Sequence, residues 1–259
     1  MSLRAVFIGT GSKVLALVGV LGAASSAHAT LFSFAADANT NGYTFAGTAG
    51  TAGAFSITDF SRPNTFMLQI DDNNGPRPTL SIPVEFHAAL TANTGTSTLI
   101  AGSLYRHTYR VSGTFSLNDM MGNALLTVTI GPNNAALLTV PGTQTAWGTS
   151  GAVLGADSFA DVTYTASAAL ITAMGGTAAA SGYGVTVGNS TGVDDFGFTM
   201  SVLNSGSVGA GVAIDATTKA PTAAWRAESS YSGSAFIPTP ASAALMGMGL
   251  VMFGSRRRR

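Results

Sequence analysis

The chain has 259 residues, of which 9% are charged and none is cysteine, so disulfide staples, thiolate-bound zinc, a thiol nucleophile and a lipid-bearing N-terminal cysteine are excluded together. Its formal net charge of zero hides a segregation: Arg4, Lys13 and Arg256 to Arg259 sit at the ends, while residues 30–240 hold all 12 Asp and Glu against Arg62, Arg77, Arg106, Arg110, Lys219 and Arg226, a net of −6. A domain of that sign, almost free of lysine, repels phosphate backbones and excludes nucleic acid as the expected partner.

Residues 1–29 read as a secretory signal peptide. Arg4 and Lys13 give a basic start, residues 14–24 are apolar and uncharged, and Ala27 and Ala29 supply the small side chains that signal peptidase needs at −3 and −1. The apolar run is short for a membrane span. Cleavage after Ala29 is expected, leaving a mature chain that begins at Thr30.

Residues 30–236 alternate short apolar runs with Gly, Asn, Asp and Pro, the pattern of strands and turns. Residues 65–71 form a strand that ends in the turn sequence Asp72-Asn73-Asn74-Gly75-Pro76. The next strand, 80–88, puts Leu80, Ile82, Val84, Phe86 and Ala88 on one face; Pro83, on the other, implies an edge or a bulge. Tyr105, His107, Tyr109 and Val111 share a face against Arg106, Thr108, Arg110 and Ser112. Further strands are expected at 125–130, 136–140, 161–169, 183–187, 196–202 and 223–232, with 229–235 running into an exit linker. Helical signal is thin: a single turn within 117–124, and an alanine-rich stretch at 168–180 broken by Gly175-Gly176. The expected fold class is all-β, an antiparallel β-sandwich or jelly-roll-like mature domain. One domain is the simplest division, with two sandwiches meeting near 141–151 as the alternative.

Chemistry is scarce in this domain. There is no G-x-S-x-G elbow, no H-E-x-x-H and no Walker loop. Gly182-Tyr183-Gly184 opens like a dinucleotide fingerprint but lacks the rest of it, and reads as a strand with glycines. His87 falls on the polar face of its strand and reads as exposed, whereas His107 reads as packed and hydrogen-bonded. Glu85 and Glu228, the two glutamates of the chain, are the pair that a glycoside hydrolase would need at a set separation; each sits among alternating strand residues. Asp71, Asp72 and Asn73 gather oxygen ligands at a turn and are the main candidate for Ca²⁺, with Asp194-Asp195 a weaker one of the same kind, although they read first as turn formers and lack the spacing of an EF-hand loop. Trp147 and Trp225, with Tyr43, Tyr105 and Tyr183, could stack sugars. No enzymatic activity, no cofactor and no resident metal are expected.

Residues 237–259 carry the clearest signal. Pro238 and Pro240 hold an extended stretch, residues 241–255 are uncharged, and four arginines close the chain. As a helix the uncharged run spans ~22 Å, short of a hydrocarbon core of about 30 Å, and the arginines stay on the cytoplasmic side. This tail resembles the PEP-CTERM sorting signal, which joins a short Pro-x-Pro motif, an apolar helix rich in small residues and Leu, and an Arg cluster. Pro238 and Pro240 match the motif prolines and Arg256, Arg257, Arg258 and Arg259 the basic end; Thr239 departs from the usual glutamate. The resemblance implies a short transmembrane sorting helix, recognition by an exosortase-like membrane enzyme, cleavage near the motif, and delivery to the cell surface or extracellular matrix. It concerns the tail alone. The expected function is therefore that of an exported structural or interaction protein, with signal peptidase and an exosortase as processing partners. Exopolysaccharide binding is the alternative, and a secreted glycoside hydrolase stands behind both.

Overall fold

The computed structural model describes residues 30–35, 42–50, 53–60, 65–72, 76–93, 95–133, 135–149, 151–156, 161–190, 194–206 and 209–235. Ala27, Ala29, Asn73, Pro238, Thr239, Pro240 and Arg256 to Arg259 lie outside them. Among the described residues no helix is long and apolar enough to cross a membrane.

The strands are β1 (Thr30–Ala35), β2 (Tyr43–Gly47), β3 (Phe55–Asp59), β4 (Thr65–Asp71), β5 (Leu80–Ala92), β6 (Thr96–Ala101), β7 (Leu104–Asn118) and β8 (Ala124–Ile130). They continue with β9 (Ala136–Thr143), β10 (Ala146–Trp147), β11 (Ala152–Gly155), β12 (Val162–Ala166), β13 (Gly188–Asn189), β14 (Asp195–Asn204), β15 (Val212–Ala213) and β16 (Trp225–Ala235). Two short helices, α1 (Ala168–Ala173) and α2 (Thr177–Gly182), interrupt them. The protein is all-β and its strands pair antiparallel, as composition and alternation implied.

The pairings run in a circuit. From β16 they pass to β1, β4, β5, β7, β9, β11 and β14, and β14 returns to β16. A parallel route through β2 and β3 joins β16 to β5 as well. Two of the walls are therefore broken strands. Along one edge of β16, β1 pairs with Ala235 to Ser230 and β2 takes over at Glu228; along β5, β3 and β4 divide the length in the same way. Closure of this kind removes most open sheet edges.

Long strands hold the circuit together because their inward residues alternate without a break. In β5, Ile82, Val84, Phe86, Ala88, Leu90 and Ala92 are all buried. Pro83 lies on the stretch of β5 that pairs with β4 alone, since β7 begins to pair only at Glu85. A residue without an N–H donor fits such a local edge. In β7, partners change at Gly113: β9 pairs up to Val111 and β8 begins at Gly113. Gly113 has φ +126, and a Cβ there would collide with the carbonyl oxygen of Ala89, so the fork requires glycine.

The interior is aromatic. Phe198 has ring contacts with Phe34, Phe45, Phe86, Phe115, Phe196 and Tyr231, at centroid separations from 5.0 to 6.1 Å. A second group joins Phe55, Tyr109, Trp147 and Trp225.

Some expectations need correction. Residues 183–187 are not a strand: Tyr183 caps the end of α2 and the chain turns there. Gly182-Tyr183-Gly184 is likewise a helix end and not a strand with glycines. The strand expected at 161–169 stops at Ala166, where Ser167 caps α1 by accepting the Leu170 N–H on its hydroxyl. The alanine-rich stretch does break at its glycine pair, with φ of +93 and +99 at Gly175 and Gly176. The turn within 117–124 is the hairpin between β7 and β8, held by Asp119, whose carboxylate accepts from the N–H of Met121 and Asn123.

Candidate functional site

The first and last strands are partners, and this brings the two ends of the folded domain together. In the pairing of β1 with β16, Thr30 faces Ala235. On its other side β1 pairs with β4, Leu31 facing Asp71. Thr30 is fully buried, and its hydroxyl donates to the Tyr183 carbonyl at 2.6 Å. The Tyr183 hydroxyl donates to the carbonyl of Pro78 at 2.7 Å. The Arg77 guanidinium lies 5.7 Å from the Tyr183 ring centroid, over Gly182, where any side chain would collide with it. The residues after α2 thus clamp the entry of the chain to the β4–β5 connection.

Carboxylates surround this pole. Asp71 accepts from the Thr79 hydroxyl at 3.1 Å. Asp72, 4% exposed, accepts the Arg77 backbone N–H on Oδ2 at 3.3 Å, while its Oδ1 has no hydrogen-bond partner among the described residues. Across β16, Asp195 accepts from both the backbone N–H and the hydroxyl of Ser234. Its carbonyl takes the Tyr164 hydroxyl, which in turn accepts from Tyr231 at 2.9 Å. Burial, above all, raises the pKa of both tyrosines, so the pair serves as neutral hydrogen-bonding groups. Gly233 makes their approach feasible, since a side chain there would meet both hydroxyls.

The other sequence candidates scatter. His87 is exposed, as expected, and stands 3.6 Å from both Asp59 and Glu85. Glu228 is on β16 and Glu85 on β5, strands that do not pair with each other and are joined through β2 and β3. His107 is buried: its Nδ1 is 2.6 Å from the Ser97 hydroxyl and its Nε2 2.8 Å from the Thr143 carbonyl, tying β6, β7 and β9 together. Trp147 and Trp225 pack edge to face at 5.2 Å inside the core and offer no sugar platform. Asp71 and Asp72, as neighbours on an extended chain, point to opposite faces. Among the described residues no group of three or more His, Asp or Glu is arranged to hold a metal.

Two surface features lie away from the pole. An open groove of about 680 Å³ is lined by Ala35, Phe66, Met67, Pro83 and Met120, among others. On the outer side of β7, Arg106 and Arg110 flank Thr108; Thr96, Thr98 and Thr139 lie opposite them on β6 and β9. Neither arginine has an ion pair or cation–π partner among the described residues, unlike Arg77 and Arg226, which lie over aromatic rings.

Sequence reasoning named Asp72 but missed Thr30 and Tyr183 as its surroundings. Nothing local marks them; only the register of β1 against β4 and β16 assembles the group. The chain matches no family model, no curated protein and no solved structure.

Proposed function

We propose that the protein is an exported cell-surface or extracellular-matrix component, a sandwich-like β domain processed by signal peptidase at its front and by an exosortase-like enzyme at its back. The sequence signals at both ends support it, and the pairing of Thr30 with Ala235 carries it structurally. That pairing sets the first and last described residues of the domain next to each other. Pro238 follows Ala235 by three residues, at most ~11 Å of extended chain, so an enzyme reading the Pro-x-Pro motif works close to this pole. Intact-mass measurement of the protein from its native host tests the reading. Loss of residues 1–29 and of the Arg cluster is expected; a mature species still ending in Arg256 to Arg259 would refute it.

A second reading, binding of an acidic exopolysaccharide, is favoured by Arg106 and Arg110. Two cations with no ion-pair partner among the described residues, four residues apart on a strand, ~13 Å, among hydroxyl-bearing neighbours, suit a sparsely charged polymer better than duplex DNA, with a charge every ~1.7 Å. Retention on an immobilised uronic-acid polymer, weakened by salt and abolished in an Arg106→Ala/Arg110→Ala variant, is the expected result. Equal retention of the variant would remove the reading.

A further inference from the structure

One group at the pole is left unfinished by the fold. Asp72 Oδ1 is buried and has no donor among the described residues, and Oδ2 has a single long bond from the Arg77 N–H. A buried carboxylate oxygen without a donor is costly, and native structures rarely keep one without a reason.

Three observations point to its partner. Register comes first: Leu31, Phe32 and Ser33 face Asp71, Ile70 and Gln69, so one further step sets Thr30 across from Asp72. Opposed residues on one face of an antiparallel pair have Cβ atoms ~4.5–5.5 Å apart, and these two side chains are both buried. Chemistry comes second. Hydrolysis of the Ala29–Thr30 peptide bond by signal peptidase puts the hydroxyl of water on the Ala29 carbonyl, which leaves as a carboxylate, and a proton on the Thr30 nitrogen. That nitrogen takes a second proton from solvent and becomes a primary ammonium. Charge comes third. Arg77, the cation nearest to Asp72 in sequence, is turned onto the Tyr183 ring and gives Asp72 only its backbone N–H.

We infer that the α-ammonium of Thr30, created by leader cleavage, pairs with Oδ1 of Asp72 and locks β1 between β16 and β4. Before cleavage the same nitrogen is a neutral amide and cannot supply the charge; afterwards it forms a charge-assisted hydrogen bond with a buried carboxylate. The strand so fastened carries Phe32 and Phe34 into the aromatic core. Processing thereby becomes part of the folding of the domain. This inference rests on the proposed cleavage after Ala29.

The test uses the full-length chain secreted and processed by its host, in three forms: wild type, Asp72→Asn, and a chain with one glycine inserted after Ala29. Mass spectrometry first establishes the N-terminal residue. The α-amine is then acylated at pH 7, and denaturation midpoints are followed with pH. The wild-type amine is expected to titrate above its ordinary range of about 7.7–8.0 and to react about tenfold more slowly than that of Asp72→Asn, each pKa unit being tenfold. A group with a raised folded pKa stabilises below its ordinary pKa and loses that contribution as pH rises through the raised value. Wild type should show this loss and both altered chains should not. The glycine insertion keeps Asp72 and displaces the ammonium, so it serves if Asp72→Asn fails to fold. Equal reactivity of wild type and Asp72→Asn, with Thr30 at the N-terminus, overturns the ion pair alone. An N-terminus other than Thr30 overturns the cleavage reading and the ion pair with it. An ordinary amine combined with stabilisation by Ca²⁺ that Asp72→Asn lacks would assign the oxygen to a metal instead, and also overturn it.

Discussion

Phe198→Ala should be the most damaging single truncation in the domain. The ring is fully buried on β14 and touches six other aromatic rings, contributed by β1, β2, β5, β7, β14 itself and β16. Removing a buried Phe costs roughly 3–5 kcal/mol, and the spread depends on how far the surroundings collapse. Here collapse is difficult, because the neighbours are rigid rings anchored to different strands of a closed circuit. Edge-to-face pairs add ~0.5–1.5 kcal/mol each beyond area, shared and not additive, so the upper end, ~4–5 kcal/mol, is expected. For a domain of this size that lowers Tm by roughly 8–20 °C, at ~2–4 °C per kcal/mol. Phe198→Leu, which refills most of the volume, should lose less than half as much. Urea unfolding followed by tyrosine and tryptophan fluorescence reads both variants. A loss under ~2 kcal/mol for the alanine variant, with an unchanged m-value, would show that the rings repack freely and that the circuit is not rigid.

Further outcomes follow from other parts of the domain. The pKa of His107 is lowered, chiefly by burial, which outweighs the raising effect of its bond to the Thr143 carbonyl; the nearby charge of Lys219 adds a still smaller lowering. The neutral form therefore belongs to the folded state, and its stabilisation, present above pH ~6.5, is lost as pH falls through the lowered value. Urea midpoints at pH 7.5 and 5 should diverge more in wild type than in His107→Gln, with a slope of at most ~1.4 kcal/mol per pH unit from this group. Gly47→Ala drives a methyl group into the Trp225 indole and should cost ~1–3 kcal/mol as overpacking, measured by thermal unfolding. Leu99 and Ile100, each just over half exposed, lie on β6, which pairs only with β7 among the described residues. Leu99→Lys should reduce self-association in sedimentation velocity while changing stability by no more than ~0.5 kcal/mol.

The long central strands were legible in the sequence because a strand buried on one face shows strict alternation. The run from Thr65 to Asp71 is bounded to the residue, those in β5, β8, β9 and β14 fall within their strands, and the alternation at 105–112 marks only the first part of β7. What escapes are the short strands β1, β2, β3, β6 and β11, of four to six residues each, and the two-residue strands β10, β13 and β15. In so few residues alternation is barely distinguishable from chance, and these elements owe their structure to distant partners. The 183–187 run misled because Tyr183 and Val185 are buried at a helix end and a turn, where spacing two apart arises without a strand. The pole was illegible for the same reason as the short strands. Asp72 reads as a turn former on its own; only its position opposite Thr30 makes its unpaired oxygen informative.

The partnership of the outermost strands also bears on when the domain can fold. Thr30 and Ala235 lie about 200 residues apart, and joining ends over such a span costs ~5 kcal/mol of loop entropy before nearer contacts offset it. The central strands β4 to β9 can form hairpins locally, but among the described residues β1 has partners only in β4 and β16, and β16 is the last described strand. The circuit therefore cannot close while the end of the chain is still being made, and a slow, late closure follows from the high sequence separation of its contacts. Under the proposed export, that delay would keep the chain unfolded until its far end has crossed.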